Sequence, residues 1–185
     1  MRVTKEMFDR AMASARSEAD RIQYLGALLG QATGAEPIIT GGSAIYLHAP
    51  SLEPSLDVDI SVPREGAAQE VESWGFVRQK GRVWRREDLG MDVDLVGAFR
   101  GSRRRAKIID TPYGPVRVAC VEDMLIKRLA ELKHWPMSEA WRTQVVKQVA
   151  VLLEDYGREL DEKYIAFLAR RDDVIDILGD FRRNV

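Results

Sequence analysis

The chain has 185 residues, a formal net charge of −1, and 45% hydrophobic and 31% charged residues. This length suffices for one buried core, and the composition excludes intrinsic disorder and fibrous classes of protein. The single cysteine, Cys120, excludes an intrachain disulfide and a thiol metal cluster. No apolar run reaches membrane-spanning length and the N-terminal sequence lacks the apolar core of a signal peptide, so we expect a cytoplasmic protein without a membrane segment.

The N-terminal part of the chain predicts a helix, a strand, a turn and a second helix. Apolar residues recur every three or four positions from about Lys5 to Leu29, which predicts one long amphipathic helix. The short apolar segment IIT then predicts a strand. Gly41 and Gly42 predict a tight turn, and SAIYLHA predicts a short helix with Ser43 at its amino end.

The middle of the chain predicts most of the strands. The segment LDVDISV, at residues 56–62, alternates as a half-buried strand does, and AAQEVESW predicts a helix that Gly75 ends. FVRQK and RVWRRE, separated by Gly81, predict a hairpin, and MDVDLV repeats the alternation of the earlier strand. AKIIDTPYGPVRVA predicts a second hairpin with Pro112 and Gly114 in its turn.

From Val121 onward the sequence predicts helices alone. They cover VEDMLIKRLAELKHW, SEAWRTQVVKQVAVLLEDYG, DEKYIAFLARR and a last short segment near DVIDIL. Strands therefore gather in the middle and helices at both ends. This order predicts an α+β (mixed α/β) fold, with a mixed sheet flanked by helices over residues 1–119 and a C-terminal helical subdomain over residues 120–185.

Two pairs of aspartates stand out on the predicted strands. Side chains alternate between the faces of a strand, so Asp57 and Asp59 project from one face, about 7 Å apart, and Asp92 and Asp94 repeat this arrangement. If the two strands are neighbours, three or four carboxylates converge, which is unfavourable unless a cation lies among them. Hard divalent cations such as Mg²⁺ prefer oxygen ligands and assist displacement at phosphorus.

The Gly41-Gly42-Ser43 segment suits the phosphate groups of such a substrate. Glycines allow the backbone to approach a ligand, and the amino end of the following helix favours an anion. Each feature also has a simpler explanation. The glycines and Ser43 could form only a turn with a helix cap, and the aspartates could lie on an exposed strand face. The order of turn, helix, acidic strand and second acidic strand favours a site for a metal and a phosphate.

GGSAIYLH, SLDVDI and VDVDLVG together resemble the DNA polymerase β-like nucleotidyltransferase superfamily, in particular the minimal nucleotidyltransferases and the AbiEii-like toxins. The resemblance covers about residues 38–97 and extends more loosely to VEDMLIKRLAEL. It implies a nucleotidyltransferase-type sheet and the transfer of a nucleoside monophosphate (NMP) from a nucleoside triphosphate (NTP) to a hydroxyl of RNA, protein or a small molecule. It also implies Mg²⁺ or Mn²⁺ as the cofactor.

Residue by residue, the resemblance implies that Asp57 and Asp59 are catalytic metal ligands and that Asp94 is the third catalytic carboxylate and metal ligand. Asp92, on the same predicted face, is the alternative to Asp94. Ser55 stands where small hydroxyl residues are frequent in these branches. The residues predicted to bind the nucleotide, ATP or another NTP, are Gly41, Gly42, Ser43 and Lys127.

One residue that differs from the family pattern and one basic segment bear on the function. Glu53 stands where these branches often have an arginine, which favours an alternative function: a noncatalytic module such as a toxin–antitoxin component. A metal-dependent phosphohydrolase is a third possibility. FRGSRRRAK is either a solvated loop or a contact for an anionic acceptor such as tRNA, through Arg103, Arg104 and Arg105.

Two further expectations concern packing. The long C-terminal helices allow an oligomer, because they could bury a second copy of the chain. The four tryptophans are predicted to pack in the core or between helices rather than to stack on bases; they are Trp74, Trp84, Trp135 and Trp141.

Overall fold

The computed structural model describes residues 2–55 and 57–184. Within these ranges the chain forms eight α-helices and one open, seven-stranded mixed sheet, so the predicted mixed α/β fold class is confirmed. The chain divides into two compact units. We call Met1–Leu47 with Glu53–Ala119 the sheet unit, and His48–Leu52 with Cys120–Val185 the helical unit. The domain assignment to residues 1–119 and 120–185 stays a prediction.

All strands of the sheet lie in the sheet unit. They are β1 (Ile38–Ile39), β2 (Asp57–Ser61), β3 (Val77–Arg78), β4 (Val83–Arg86), β5 (Met91–Leu95), β6 (Lys107–Thr111) and β7 (Gly114–Val118). Their order is β3-β4-β5-β2-β1-β7-β6, with β2 parallel to β5 and antiparallel to β1. Both predicted hairpins, β3–β4 and β6–β7, form at the sheet edges. The predicted strand 56–62 is β2, and Leu56 lies outside the described residues.

The helices agree with the predictions at most positions. They are α1 (Lys5–Ser14), α2 (Glu18–Thr33), α3 (Gly41–His48), α4 (Arg64–Ser73), α5 (Val121–His134), α6 (Glu139–Tyr156), α7 (Glu162–Arg171) and α8 (Ile175–Asn184). In the part of the chain described here, no helix has the length and apolar character needed to cross a bilayer.

The single helix predicted from Lys5 to Leu29 is wrong, because the chain breaks between α1 and α2. The Ser17 hydroxyl accepts a hydrogen bond from the Asp20 N–H at 3.1 Å and caps α2. The Arg16 N–H donates to the Asp20 carboxylate at 2.8 Å and fixes the preceding turn. The apolar period continues across the break, so periodicity alone did not reveal the capping residue.

The start of α3 also differs from the prediction. The helix begins at Gly41 rather than at Ser43, and the first helical hydrogen bond runs from the Ala44 N–H to the Thr40 carbonyl at 3.1 Å. Gly41 has a φ of +59°, a left-handed conformation that glycine adopts without strain. The glycine turn and the amino end of the helix are therefore one continuous feature.

The core of the sheet unit forms around α2, which packs against α1 and α4 and covers β1, β6 and β7. Leu25, Leu29, Ile38 and Ile39 are completely buried. Phe8 stacks on Trp74 with ring centroids 4.8 Å apart. Helix α2 therefore covers the β1, β6 and β7 side of the sheet that also contains β2 and β5.

The prediction for the tryptophans is confirmed for two of them. Trp74 and Trp84 are buried, whereas Trp135 is 66% exposed and Trp141 is 38% exposed. Trp135 directly follows the last residue of α5, where the helical period no longer directs side chains inward. The Trp141 ring instead lies 5.2 Å from the Arg128 guanidinium, as a cation–π pair.

The helical unit is built around α5, which contacts α6, α7 and α8. Leu125 and Leu129 are completely buried on this helix. Its buried charges are paired, since Arg128 donates to Glu131 at 2.6 Å and the Tyr164 hydroxyl donates to Asp123 at 2.7 Å.

Candidate active site

The two acidic strands are direct neighbours in the sheet. β2 and β5 run parallel, with Asp57 opposite Asp92 and Asp59 opposite Asp94. Because side chains alternate along both strands, this register places all four carboxylates on one face. The sequence predicted the alternation within each strand, and the structure supplies the pairing between the strands.

Three of these carboxylates form a close group. One oxygen from each of Asp57, Asp59 and Asp94 lies within 4.8 Å of the others. Asp94 is buried, with 6% of its surface exposed, and Asp57 and Asp59 are half-buried. Among the described residues, Asp92 is outside this group, although it shares the same strand face.

Hydrogen bonds of ordinary length hold the two β2 aspartates in place. The Ser55 hydroxyl donates to the Asp57 carboxylate at 2.9 Å, and the Thr40 N–H donates to the Asp59 carbonyl at 2.9 Å. Ser43, predicted to bind the nucleotide, is completely buried and donates its hydroxyl to the Asp57 carbonyl at 2.9 Å. The start of α3 is thus fastened to β2 beside both carboxylates.

Gly41 lies directly against Asp59. A Cβ atom added at Gly41 would stand 1.8 Å from Asp59 Oδ2, far inside van der Waals contact. No side chain larger than glycine's fits here while Asp59 keeps its position. The glycine therefore brings the amino end of α3 into contact with the carboxylate group.

Arg82 is a site residue that the sequence analysis missed. Its Nε lies 2.8 Å from one carboxylate oxygen of Asp94 and 2.9 Å from the other. The Leu95 N–H donates to the Arg82 carbonyl at 3.1 Å, which fixes this end of the hairpin against β5. The predicted hairpin contained the necessary signal, because pairing β4 with β5 brings residues next to Gly81 opposite Asp94.

The carboxylate group fits a hard divalent cation. Its donors are all oxygens, and three like charges within 4.8 Å of one another repel unless a cation neutralises them. Mg²⁺ and Mn²⁺ prefer this donor set. Asp57, Asp59 and Asp94 are the residues that would hold such an ion.

The other predicted binding residues lie elsewhere in the chain. Lys127 is half-buried on α5, in the helical unit. Arg103, Arg104 and Arg105 are exposed in the loop between β5 and β6, and Arg103 donates to the Glu36 carbonyl at 3.2 Å. Their functional roles, like those of the other site residues, stay predictions.

The Cys120 thiol is buried and paired with a carboxylate. The residue is buried, and its Sγ donates to the Asp123 carboxylate at 3.2 Å. Burial, together with the charge of Asp123, raises the pKa of the Cys120 thiol. The thiol therefore stays protonated and unreactive near neutral pH.

Comparison with known proteins identifies the fold. No protein-family model matches the sequence, and no curated protein matches it significantly. The structure is similar to the antibiotic-resistance factor ANT(2'')-Ia, with 14% identity, a TM-score of 0.54, and coverage of 88% of this chain and 95% of that one. It is also similar to an antigenic nucleotidyltransferase-like protein from Paracoccidioides brasiliensis, with 14% identity, a TM-score of 0.56, and coverage of 91% of this chain and 94% of that one. The chain has the nucleotidyltransferase fold, as the sequence predicts.

Proposed function

We propose that this protein is a metal-dependent nucleotidyltransferase that transfers an NMP from an NTP to a hydroxyl group. The observation that carries the proposal is the convergence of Asp57, Asp59 and Asp94, with Gly41 at the amino end of α3 against Asp59. The nucleotidyltransferase fold agrees with it. A cytoplasmic location belongs to the same proposal.

The carboxylates and the helix have separate tasks in this reaction. Mg²⁺ or Mn²⁺ held by the three carboxylates supplies neutralisation of charge at the phosphates. The acceptor oxygen forms a bond to the α-phosphorus, the bond from the α-phosphorus to the oxygen that bridges to the β-phosphorus breaks, and pyrophosphate leaves. Asp94 orients the acceptor hydroxyl and accepts its proton.

The amino end of α3 binds the phosphates. The first N–H groups of a helix have no acceptor within the helix, and the helix dipole favours an anion there. Gly41 and Gly42 let the backbone come close to the ligand. The Ser43 hydroxyl fastens this turn to β2 by donating to the Asp57 carbonyl.

The direct test is nucleotide turnover. The protein is incubated with each labelled NTP, with Mg²⁺ or Mn²⁺, and with total RNA or its own polypeptide as acceptor, and pyrophosphate is measured. We expect Asp57→Asn to reduce pyrophosphate release about a thousandfold, because one ligand of the metal is lost. Asp110→Asn, at an exposed position on β6, is the matched control and should leave the rate unchanged.

Other outcomes identify the alternative functions. Nucleotide binding without pyrophosphate release would indicate a noncatalytic module, such as a toxin–antitoxin component; Glu53, exposed where the resemblance implies an arginine, is the residue that favours it. Orthophosphate or cleaved nucleic acid would indicate a phosphohydrolase instead.

The acceptor in this proposal is anionic and binds the basic segment Arg100–Lys107. Arg103, Arg104 and Arg105 are exposed there, and the segment follows the strand that carries Asp94. We expect their combined replacement by glutamate to weaken binding of total RNA at least about tenfold at low salt, and to reduce the salt dependence of binding.

The matched control reverses three exposed basic residues of α6 and α7: Arg142, Lys163 and Arg170. Its net charge equals that of the first variant, so a general charge effect would weaken both equally. Equal RNA affinity in the two variants would contradict the acceptor assignment.

A further inference from the structure

The Arg82–Asp94 contact is an ion pair between an exposed arginine and a buried aspartate. The Asp94 side chain is 9% exposed, whereas the Arg82 side chain is 55% exposed. Within residues 2–55 and 57–184, the Arg82 guanidinium has Asp94 as its sole acceptor. Arg82 contacts this carboxylate through its Nε atom. Among the described residues, the Arg82 guanidinium therefore has no second polar contact to break when it leaves Asp94.

The same carboxylate belongs to the acidic group. Asp94 lies beside Asp57 and Asp59, and an uncompensated charge at this buried position would be unfavourable. Without a bound metal, the Arg82 guanidinium places a compensating positive charge at Asp94. A divalent cation bound to the acidic group would neutralise the same negative charge, at the carboxylate oxygens of Asp94.

We propose that Arg82 is a positioning residue that acts as an internal counter-cation for Asp94. It holds the carboxylate while no divalent cation is bound, and it leaves when one enters. This inference rests on the proposed function, because it assumes that the group binds metal. Its consequence is a lowered affinity for the free metal, since the cation must displace a guanidinium that already compensates Asp94.

The test measures binding of Mn²⁺ without nucleotide, by electron paramagnetic resonance of the free ion and by calorimetry. We expect Arg82→Gln to bind Mn²⁺ about tenfold more tightly than the wild type, because the competing cation is gone. In EDTA, the melting temperature of this variant should fall by about 2–4 °C, since the positive charge of Arg82 beside Asp94 is lost. Saturating Mn²⁺ should remove this difference, and Arg82→Lys should behave like the wild type.

Arg85→Gln is the matched control. Arg85 lies on the same hairpin, is 44% exposed and faces Asp92, which is outside the acidic group. We expect its Mn²⁺ affinity to equal that of the wild type. A structural role for Arg82 would lower stability with and without Mn²⁺ and would leave the Mn²⁺ affinity unchanged or weaker, and that result would overturn the inference.

Asp57→Asn separates failure of the inference from failure of the proposed function. If the wild type binds Mn²⁺ and Asp57→Asn does not, the metal site exists and the result with Arg82→Gln decides the inference. If neither protein binds Mn²⁺, or both bind it equally, the metal site itself is wrong and the inference fails with it.

Discussion

Asp94→Asn is expected to reduce NMP transfer by about a hundredfold to ten-thousandfold, which is the range for loss of a general base. Asparagine has nearly the same shape as aspartate, so the strand pairing of β5 should persist. The change removes one carboxylate from the group that we propose as the metal site and removes the acceptor for the proton of the attacking hydroxyl. The measurement is the initial rate of pyrophosphate release at saturating NTP and metal.

Asp92→Asn provides the control for this experiment. Asp92 lies on the same strand and the same face as Asp94, and it is opposite Asp57 in the register, yet it is outside the close group. We expect its rate to stay within about twofold of the wild type. A large loss in Asp92→Asn with a small loss in Asp94→Asn would exchange the roles of the two residues.

Gly41→Ala is expected to abolish metal binding and to destabilise the fold. The added methyl group would stand 1.8 Å from Asp59 Oδ2, so either the carboxylate or the start of α3 must move. The backbone φ of +59° adds about 1–2 kcal/mol of strain for a residue with a Cβ atom. We expect a fall in melting temperature of at least about 5 °C and no measurable Mn²⁺ binding.

Gly66→Ala is the matched substitution for Gly41→Ala. Gly66 lies on α4, and a Cβ atom there meets open space. Alanine is a better helix former than glycine, so this variant should be slightly more stable than the wild type. If Gly41→Ala also kept its stability and bound Mn²⁺ normally, the close approach of α3 to Asp59 would be wrong.

The geometry of the site was predictable in part from spacing alone. The aspartates at positions 57 and 59 must share a strand face, and the same holds for 92 and 94, because the side-chain period of a strand is two. The pairing of β2 with β5 could not be predicted from spacing, since it depends on the long-range order of the sheet. The sequence alone allowed this pairing, and the resemblance to nucleotidyltransferases favoured it.

Two contacts of the structure could not be predicted from hydrophobic periodicity. The break between α1 and α2 depends on a hydrogen bond from the Asp20 N–H to Ser17, a local choice that competes with an uninterrupted apolar period. The contact between Arg82 and Asp94 depends on the register of β4 against β5, which one residue of slip would destroy. Apolar periodicity reveals neither contact: the first needed the Ser17-x-x-Asp20 capping spacing, and the second needed the pairing of β4 with β5.

The parallel pairing of β2 with β5 affects how the site comes into being. α4 and the β3–β4 hairpin lie between β2 and β5 in the sequence, so Asp59 and Asp94 become neighbours only through a long-range pairing of their strands. A fragment that ends before β5 lacks Asp94 and therefore cannot form the acidic group.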